Sequence, residues 1–187
     1  MHLRGAQLSN DIRTTPSQMR TTKNQAWFAL NARAIQIWRQ EMEFPQTAAM
    51  VAAFLIILQQ FFMMNTGTHR VKANIGVGYG TDRDLERKSR RHGNLAENAA
   101  IFVIVLALTE GLIGSGPIIT GFAGAFIFAR LCHAIGFMSK TGSHATKDGP
   151  KFFAMFRAVG ATLTGLVGLA LGFFLAYQLA KANGLLG

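Results

Sequence analysis

Four long apolar blocks dominate the pattern of this chain, at about Thr47 to Met64, Asn94 to Ile113, Pro117 to Met138 and Gly160 to Leu179. A helix needs roughly 20 predominantly apolar residues to cross the hydrocarbon core of a bilayer, and each block reaches or approaches that length. The fourth, "GATLTGLVGLALGFFLAYQLA", is rich in small residues (Gly160, Ala161, Gly165, Gly168, Gly172) of the kind that let membrane helices approach closely. The pattern predicts an all-α membrane protein, a four-transmembrane-helix bundle over residues 47–187 with an N-terminal arm over residues 1–46. A soluble helical domain is a poor fit. With 50% of residues hydrophobic and 15% charged, too few polar side chains remain to cover its surface.

The arm has two parts. Residues 1–22 are polar without a clear period and read as extended chain. Residues 24–43, "NQAWFALNARAIQIWRQEME", place Trp27, Leu30, Ala34 and Ile37 at helical spacing, with Phe28, Ile35 and Trp38 near the same side. Such a helix lies flat in the membrane interface, where tryptophan is favoured, or packs on a neighbouring protein. In the second case residues 1–44 dock the chain to a larger membrane complex. Pro45 separates this helix from the first block.

The formal charge of +10 does not mark a nucleic-acid binder, because the basic residues are placed by topology. Arg70, Lys72, Arg83, Arg87, Lys88, Arg90 and Arg91 lie between the first two blocks; Lys140, Lys147, Lys151 and Arg157 lie between the last two. The connection "TEGLIGSGP" between the second and third has neither Lys nor Arg. The positive-inside rule then makes loops 65–93 and 139–156 cytoplasmic and puts both termini on the opposite side. The partner this implies is the lipid bilayer, with no nucleic acid. A lone cysteine, Cys132, allows no disulfide within the chain and suggests no metal site.

Candidate chemistry gathers where the second block meets the basic loop. Arg87, Arg90, Arg91, Asn94, Glu97 and Asn98 recur at steps of three and four and share one helical stripe. A carboxylate inside a membrane span calls for a partner. Glu97 is expected to contact Arg90, Asn94 or a cation of the third block and to stay away from lipid. That third block offers Arg130, His133 and Phe137 on one face. The result is either a polar ligand pocket or a positive-inside anchor with a structural ion pair. His133 reads as a satisfied core histidine, since no second His or Cys stands at ligand spacing within the spans; His69, His92 and His144 are assigned to loops. Asp82 and Asp84 are expected to cap a helix or to pair with Arg83 and Arg87.

These residues resemble the MAPEG family, the membrane-associated proteins in eicosanoid and glutathione metabolism. R-x-x-R-x-H-x-N-x-x-E stands here as Arg87, Arg90, His92, Asn94 and Glu97, and R-x-x-H-x-x-G as Arg130, His133 and Gly136. "FRAVGATLTG" opens the last block with Arg157, and "GVGYGTDRDLER" is similar to the bacterial branch. The resemblance covers about residues 47 to 180. It implies homotrimers of four-helix protomers in a bacterial inner membrane, with glutathione held at subunit interfaces near the cytoplasmic side. The matching ligand positions are Arg87, Arg90, Asn94, Glu97, Arg130 and His133. Arg157 matches the arginine that stabilises the thiolate in catalytic members. Arginine forks suit the two carboxylates of glutathione, and Glu97 suits its ammonium. No metal is expected.

Two departures stand out. Phe137 occupies the place of a tyrosine common in catalytic members, and the end of the first block, "QQFFMMNTGTHR", has no arginine before Arg70. Three functions fit the sequence. One is a glutathione-dependent transferase or peroxidase acting on lipophilic substrates. Another is a non-catalytic accessory or scaffold subunit of a larger membrane complex. The third is a lipid- or quinone-binding module that uses the cationic pocket.

Overall fold

The computed structural model describes residues 44–140 and 149–185, together with Gln25, Trp27 and Phe28. The chain divides into two units, Met1–Glu43 and Phe44–Gly187. Four helices make up the described part of the second: α1 Gln46–Ala73, α2 Arg83–Ile113, α3 Pro117–Gly136 and α4 Lys151–Ala182. All four are long and apolar enough to cross a membrane, and the protein is an all-α membrane protein. The arm's docking role falls almost wholly outside the described residues; Trp27 and Phe28 are exposed, and their rings meet edge to face at 5.1 Å.

Each helix end has a local cause. The Asp82 carboxylate caps α2, its Oδ1 accepting from the Asp84 and Leu85 amides at 3.0 and 2.9 Å. Pro117 opens α3 at a position where its missing N–H costs nothing. Asn74 ends α1 in the left-handed region, at φ 53°, and its N–H returns to the helix carbonyls. Gly114 ends α2 at φ 79°, which favours glycine.

The start of α1 is capped from a distance. Glu110, near the end of α2, accepts from the Thr47 and Ala48 amides at 3.0 and 2.8 Å and from Ser115 Oγ at 2.7 Å. This carboxylate is 1% exposed, so three donors replace its water. The first four amides of a helix lack intrahelical partners, and a carboxylate there also meets the positive end of the helix dipole.

The helices run further than the apolar blocks. Residues 65–73, expected in a loop, continue α1, and Thr66 and Thr68 turn their hydroxyls back to the Phe62 and Met64 carbonyls at 2.9 and 2.6 Å. His69 and His92 are therefore helical residues rather than loop residues, while His144 lies outside the described residues. Helix α4 likewise begins at Lys151, before the expected Gly160. Polar ends of helices escape a hydropathy reading because they stand in the interface, where the backbone still gains from pairing with itself.

Helix α1 packs chiefly on α2, and α3 on α4. The Phe102 and Phe126 rings stack with centroids 3.6 Å apart and join α2 to α3. Leu55, Leu95, Leu106, Ile119 and Leu171 fill the interior. The outward faces carry large apolar residues such as Ile57, Phe61, Leu169 and Phe173, as a lipid-facing surface requires.

Candidate functional site

Helices α3 and α4 touch at two glycines, and that contact sets the site. A Cβ built on Gly160 would fall on the His133 amide nitrogen and lie 2.7 Å from Ala129 O. One on Gly136 would lie 2.5 to 2.7 Å from the Cβ, N and Cα of Arg157. Only glycine permits backbones this close. The approach sets Arg130 and His133 of α3 beside Arg157 and Thr164 of α4.

Arg130 is 3% exposed and works as a three-helix tie. Its Nη2 donates to Thr164 Oγ1 on α4 at 2.6 Å and its Nη1 to the Asn94 carbonyl on α2 at 3.1 Å. The Thr164 hydroxyl in turn donates a hydrogen bond to the Gly160 carbonyl at 2.6 Å. His133 is buried with its ring 5.0 Å from that of Phe137, and the charges of Arg130 and Arg157 both act on it. Arg87 is also turned inward: it donates to the Phe137 carbonyl and reaches Asp84 at 3.4 Å, as expected from sequence.

The remaining site residues face outward. Arg90 and Glu97 are exposed and Asn94 is half-buried, its side-chain amide donating to the Arg90 carbonyl at 2.8 Å. Arg157 is half-buried, with its guanidinium carbon 4.9 Å above the Phe137 ring, close enough to Arg90 for the like charges to repel. The expected pairing of Glu97 is not met among the described residues. Among the described residues it has no hydrogen bond or ion pair, and it is exposed. Arg130 of α3 is already committed to the Asn94 carbonyl and to Thr164. The seven residues thus separate into an inward set, in which Arg87 and Arg130 join helices and His133 is buried beside them, and an outward set (Arg90, Asn94, Glu97, with Arg157 at the edge) that meets whatever lies alongside.

A family model, that of the MAPEG family, matches residues 48–177. The chain belongs to the MAPEG family. Curated proteins yield no match to it. MAPEG membership agrees with the four spanning helices and associates the chain with glutathione at the level of the family. Among the described residues, no group of His, Cys, Asp and Glu is arranged to hold a metal ion.

Several polar contacts of this MAPEG chain were not read from its sequence. Glu110 is one; the cost argument applied to Glu97 holds equally for it and was the available signal. Arg91, on the predicted stripe, is 8% exposed and turns to α1, donating to Asn65 Oδ1 at 3.2 Å with its guanidinium 4.4 Å above the Phe62 ring. His69 stands between Asp82 and Lys88, 2.8 Å from each. The Leu85 amide first, and then His69, hold the Asp82 carboxyl below its ordinary range. Arg70 donates to the Gly78 carbonyl at 2.6 Å and fastens the loop that leads into α2. Sequence spacing gave no sign of the contacts of Arg91, His69 and Arg70, because each joins α1 to α2 or to the loop between them.

Proposed function

We propose that this protein is a glutathione-dependent membrane enzyme of transferase or peroxidase type, acting on lipophilic electrophiles that reach it through the bilayer. The supporting observation is the outward set. Arg90 and Glu97 lie exposed on one stripe with Asn94, beside Arg157, and this is a charge pattern complementary to a peptide carrying carboxylates, an ammonium and a thiol. Arg87 and Arg130 stand behind this set and keep the inner wall cationic.

Each residue then has a distinct part. Arg90 binds a carboxylate, and Asn94 orients it with its remaining amide capacity. Glu97 takes the ammonium. Arg157 lies over an apolar ring, where a guanidinium is poorly hydrated and its field on a nearby thiol is strong. Arg87 and Arg130 hold α2, α3 and α4 in register as positioning residues, and His133 fills the space beside Phe137. Glutathione, when bound, supplies a nucleophilic sulfur. The stripe runs from the charged start of α2 towards its apolar run at 99–108, and an unpaired carboxylate at that border is costly. A second copy of the chain covering the stripe relieves that cost, which favours a homotrimer with sites between copies. The basic residues of segments 65–93 and 139–156 support a cytoplasmic placement of both in a bacterial inner membrane.

The test uses purified protein in detergent with glutathione added. Binding is followed by calorimetry and thiolate formation by ultraviolet absorbance. Arg157→Ala should abolish the thiolate signal while weakening binding far less. Absence of binding at millimolar glutathione would end the enzyme reading. Binding without a thiolate, in the parent protein, would make the chain a binding module.

A second reading, an accessory subunit docked through residues 1–44, is favoured by the exposed rings of Trp27 and Phe28. Deleting residues 1–44 before mild extraction should then remove a co-purifying protein and leave the four-helix part intact.

A further inference from the structure

The polar ends of α1 and α2 are joined by a zipper of side chains that stands apart from the cationic site. Gln59 meets His92, Asn65 meets Arg91 and His69 meets Lys88, in antiparallel order along the two helices. His69 has a partner on each ring nitrogen. Its Nε2 lies 2.8 Å from Asp82 Oδ2, and its Nδ1 lies 2.8 Å from Lys88 Nζ. Asp82 is engaged through both oxygens, since its Oδ1 caps α2 while Oδ2 faces His69. The Leu85 amide first, and then His69, hold this carboxyl below its ordinary range, so it is ionised wherever histidine titrates.

These partners fix the protons on the ring. An ionised carboxylate only accepts, and an ammonium only donates. Nε2 must therefore carry the hydrogen, and Nδ1 must offer its lone pair to Lys88. The neutral ring protonated on Nε2 is the one state that satisfies both contacts. A second proton, on Nδ1, sets two donors and two positive charges against each other at hydrogen-bond distance. The same proton turns the contact with Asp82 into an ion pair, which strengthens it.

We infer that His69 is a proton-operated latch between α1 and α2: the neutral ring holds Lys88, and the protonated ring keeps Asp82 and releases Lys88. The charged groups in contact with His69 are Asp82 from the loop and Lys88 from α2, and Arg70 and Lys72 flank it on α1. Helices α3 and α4 bring it no hydrogen bond or ion pair among the described residues. Release of Lys88 leaves the Asp82 cap in place, so α2 keeps its first turn while one tie between the helices opens. Arg70 confines the opening, because it stays charged and holds Gly78 O at 2.6 Å and Ser89 Oγ at 3.4 Å. His92 titrates in the same range and stands one turn beyond Lys88 on α2, bonded to Gln59. The latch does not depend on glutathione binding.

The full chain in phosphatidylcholine nanodiscs is treated with formaldehyde and cyanoborohydride between about pH 8 and pH 5, the range in which histidine titrates. Dimethylation of Lys88 is read by mass spectrometry relative to Lys72, an exposed lysine on α1, which cancels the common fall in free amine. The ratio should rise about tenfold towards acid pH, the protection that one hydrogen bond from a charged donor gives. His69→Gln cannot take the charge and should hold the ratio constant. Asp82→Asn keeps a capping side chain but offers no charge to the protonated ring, and it should move the rise to lower pH. Nitrogen NMR of histidine-labelled protein reads the ring directly: the signals missing from His69→Gln belong to His69, and at the alkaline end they should show the proton on Nε2. If His69→Gln does not fold, the displacement in Asp82→Asn decides. A constant ratio in the parent protein, a rise that persists in His69→Gln, an unmoved rise in Asp82→Asn, or a neutral His69 ring protonated on Nδ1 would each overturn the latch.

Discussion

Adding one methyl group at Gly160 should do more damage than the loss of many larger side chains. The Cβ of Gly160→Ala would fall on the His133 amide nitrogen and within 2.7 Å of the Ala129 carbonyl oxygen and of His133 Cα. All three atoms are helix backbone, so no rotamer change relieves the overlap. Restoring contact near 3.5 Å requires α4 to retreat from α3 by about 1 Å. Overpacking of this kind costs about 1–3 kcal/mol. The retreat also stretches the 2.6 Å bond between Arg130 and Thr164, and a bond to a charged group is worth about 1.5–3 kcal/mol. Alanine's better helix propensity returns up to about 1 kcal/mol, leaving a net loss of about 2–5 kcal/mol. Gly165 and Gly168 lie on the same helix with nothing within 4 Å of a built Cβ. At those positions the propensity term acts alone, and alanine should be neutral or stabilising by up to about 1 kcal/mol. Thermal unfolding in detergent, read as loss of the folded peak on size exclusion, measures all three variants. A chain of this length shifts by about 2–4 °C per kcal/mol, so Gly160→Ala should melt at least several degrees lower, and the controls should not. A Gly160→Ala protein as stable as Gly165→Ala would refute the close-approach argument.

Glu110→Ala strips the cap from α1 and should lower unfolding stability by about 1.5–3 kcal/mol, whereas Glu110→Gln should lose less, since one acceptor oxygen remains; thermal unfolding of both separates the two. The Asp82 carboxyl titrates below its ordinary range, so its contribution to stability is present above the ordinary carboxylate pKa and fades as pH falls through the lowered folded value. An acid titration of unfolding should therefore lose part of its low-pH slope in Asp82→Asn. Arg130→Lys keeps the charge but cannot reach Asn94 O and Thr164 Oγ1 together, and its loss of stability should exceed that of Arg90→Lys, an exposed position. A cysteine at Val77, which is 95% exposed in the loop after α1, should react with an impermeant maleimide only from the cytoplasmic side in a Cys132→Ser background; labelling from the other side would invert the topology.

Apolar periodicity and length were enough to announce the membrane and its four helices, because a span must satisfy its own backbone and show lipid an apolar surface all along its length. The motif around Arg87, Asn94 and Glu97 was equally legible, and it led to the family whose model matches residues 48–177. Helix ends were not legible: α1 continues nine residues past Met64 to Ala73 through polar positions that hydropathy ignores. Nor does a stripe of arginines declare which way each one turns. Arg87 and Arg130 face inward because carbonyls and a hydroxyl of neighbouring helices stand within their reach, while Arg90 on the same stripe meets none. Glu97, expected to find its partner inside the chain, stands exposed for the same reason. Spacing along one helix fixes which residues share a face; what that face meets is decided by the packing of the others, and here two glycines, Gly136 and Gly160, set that packing by letting α3 and α4 touch backbone to backbone.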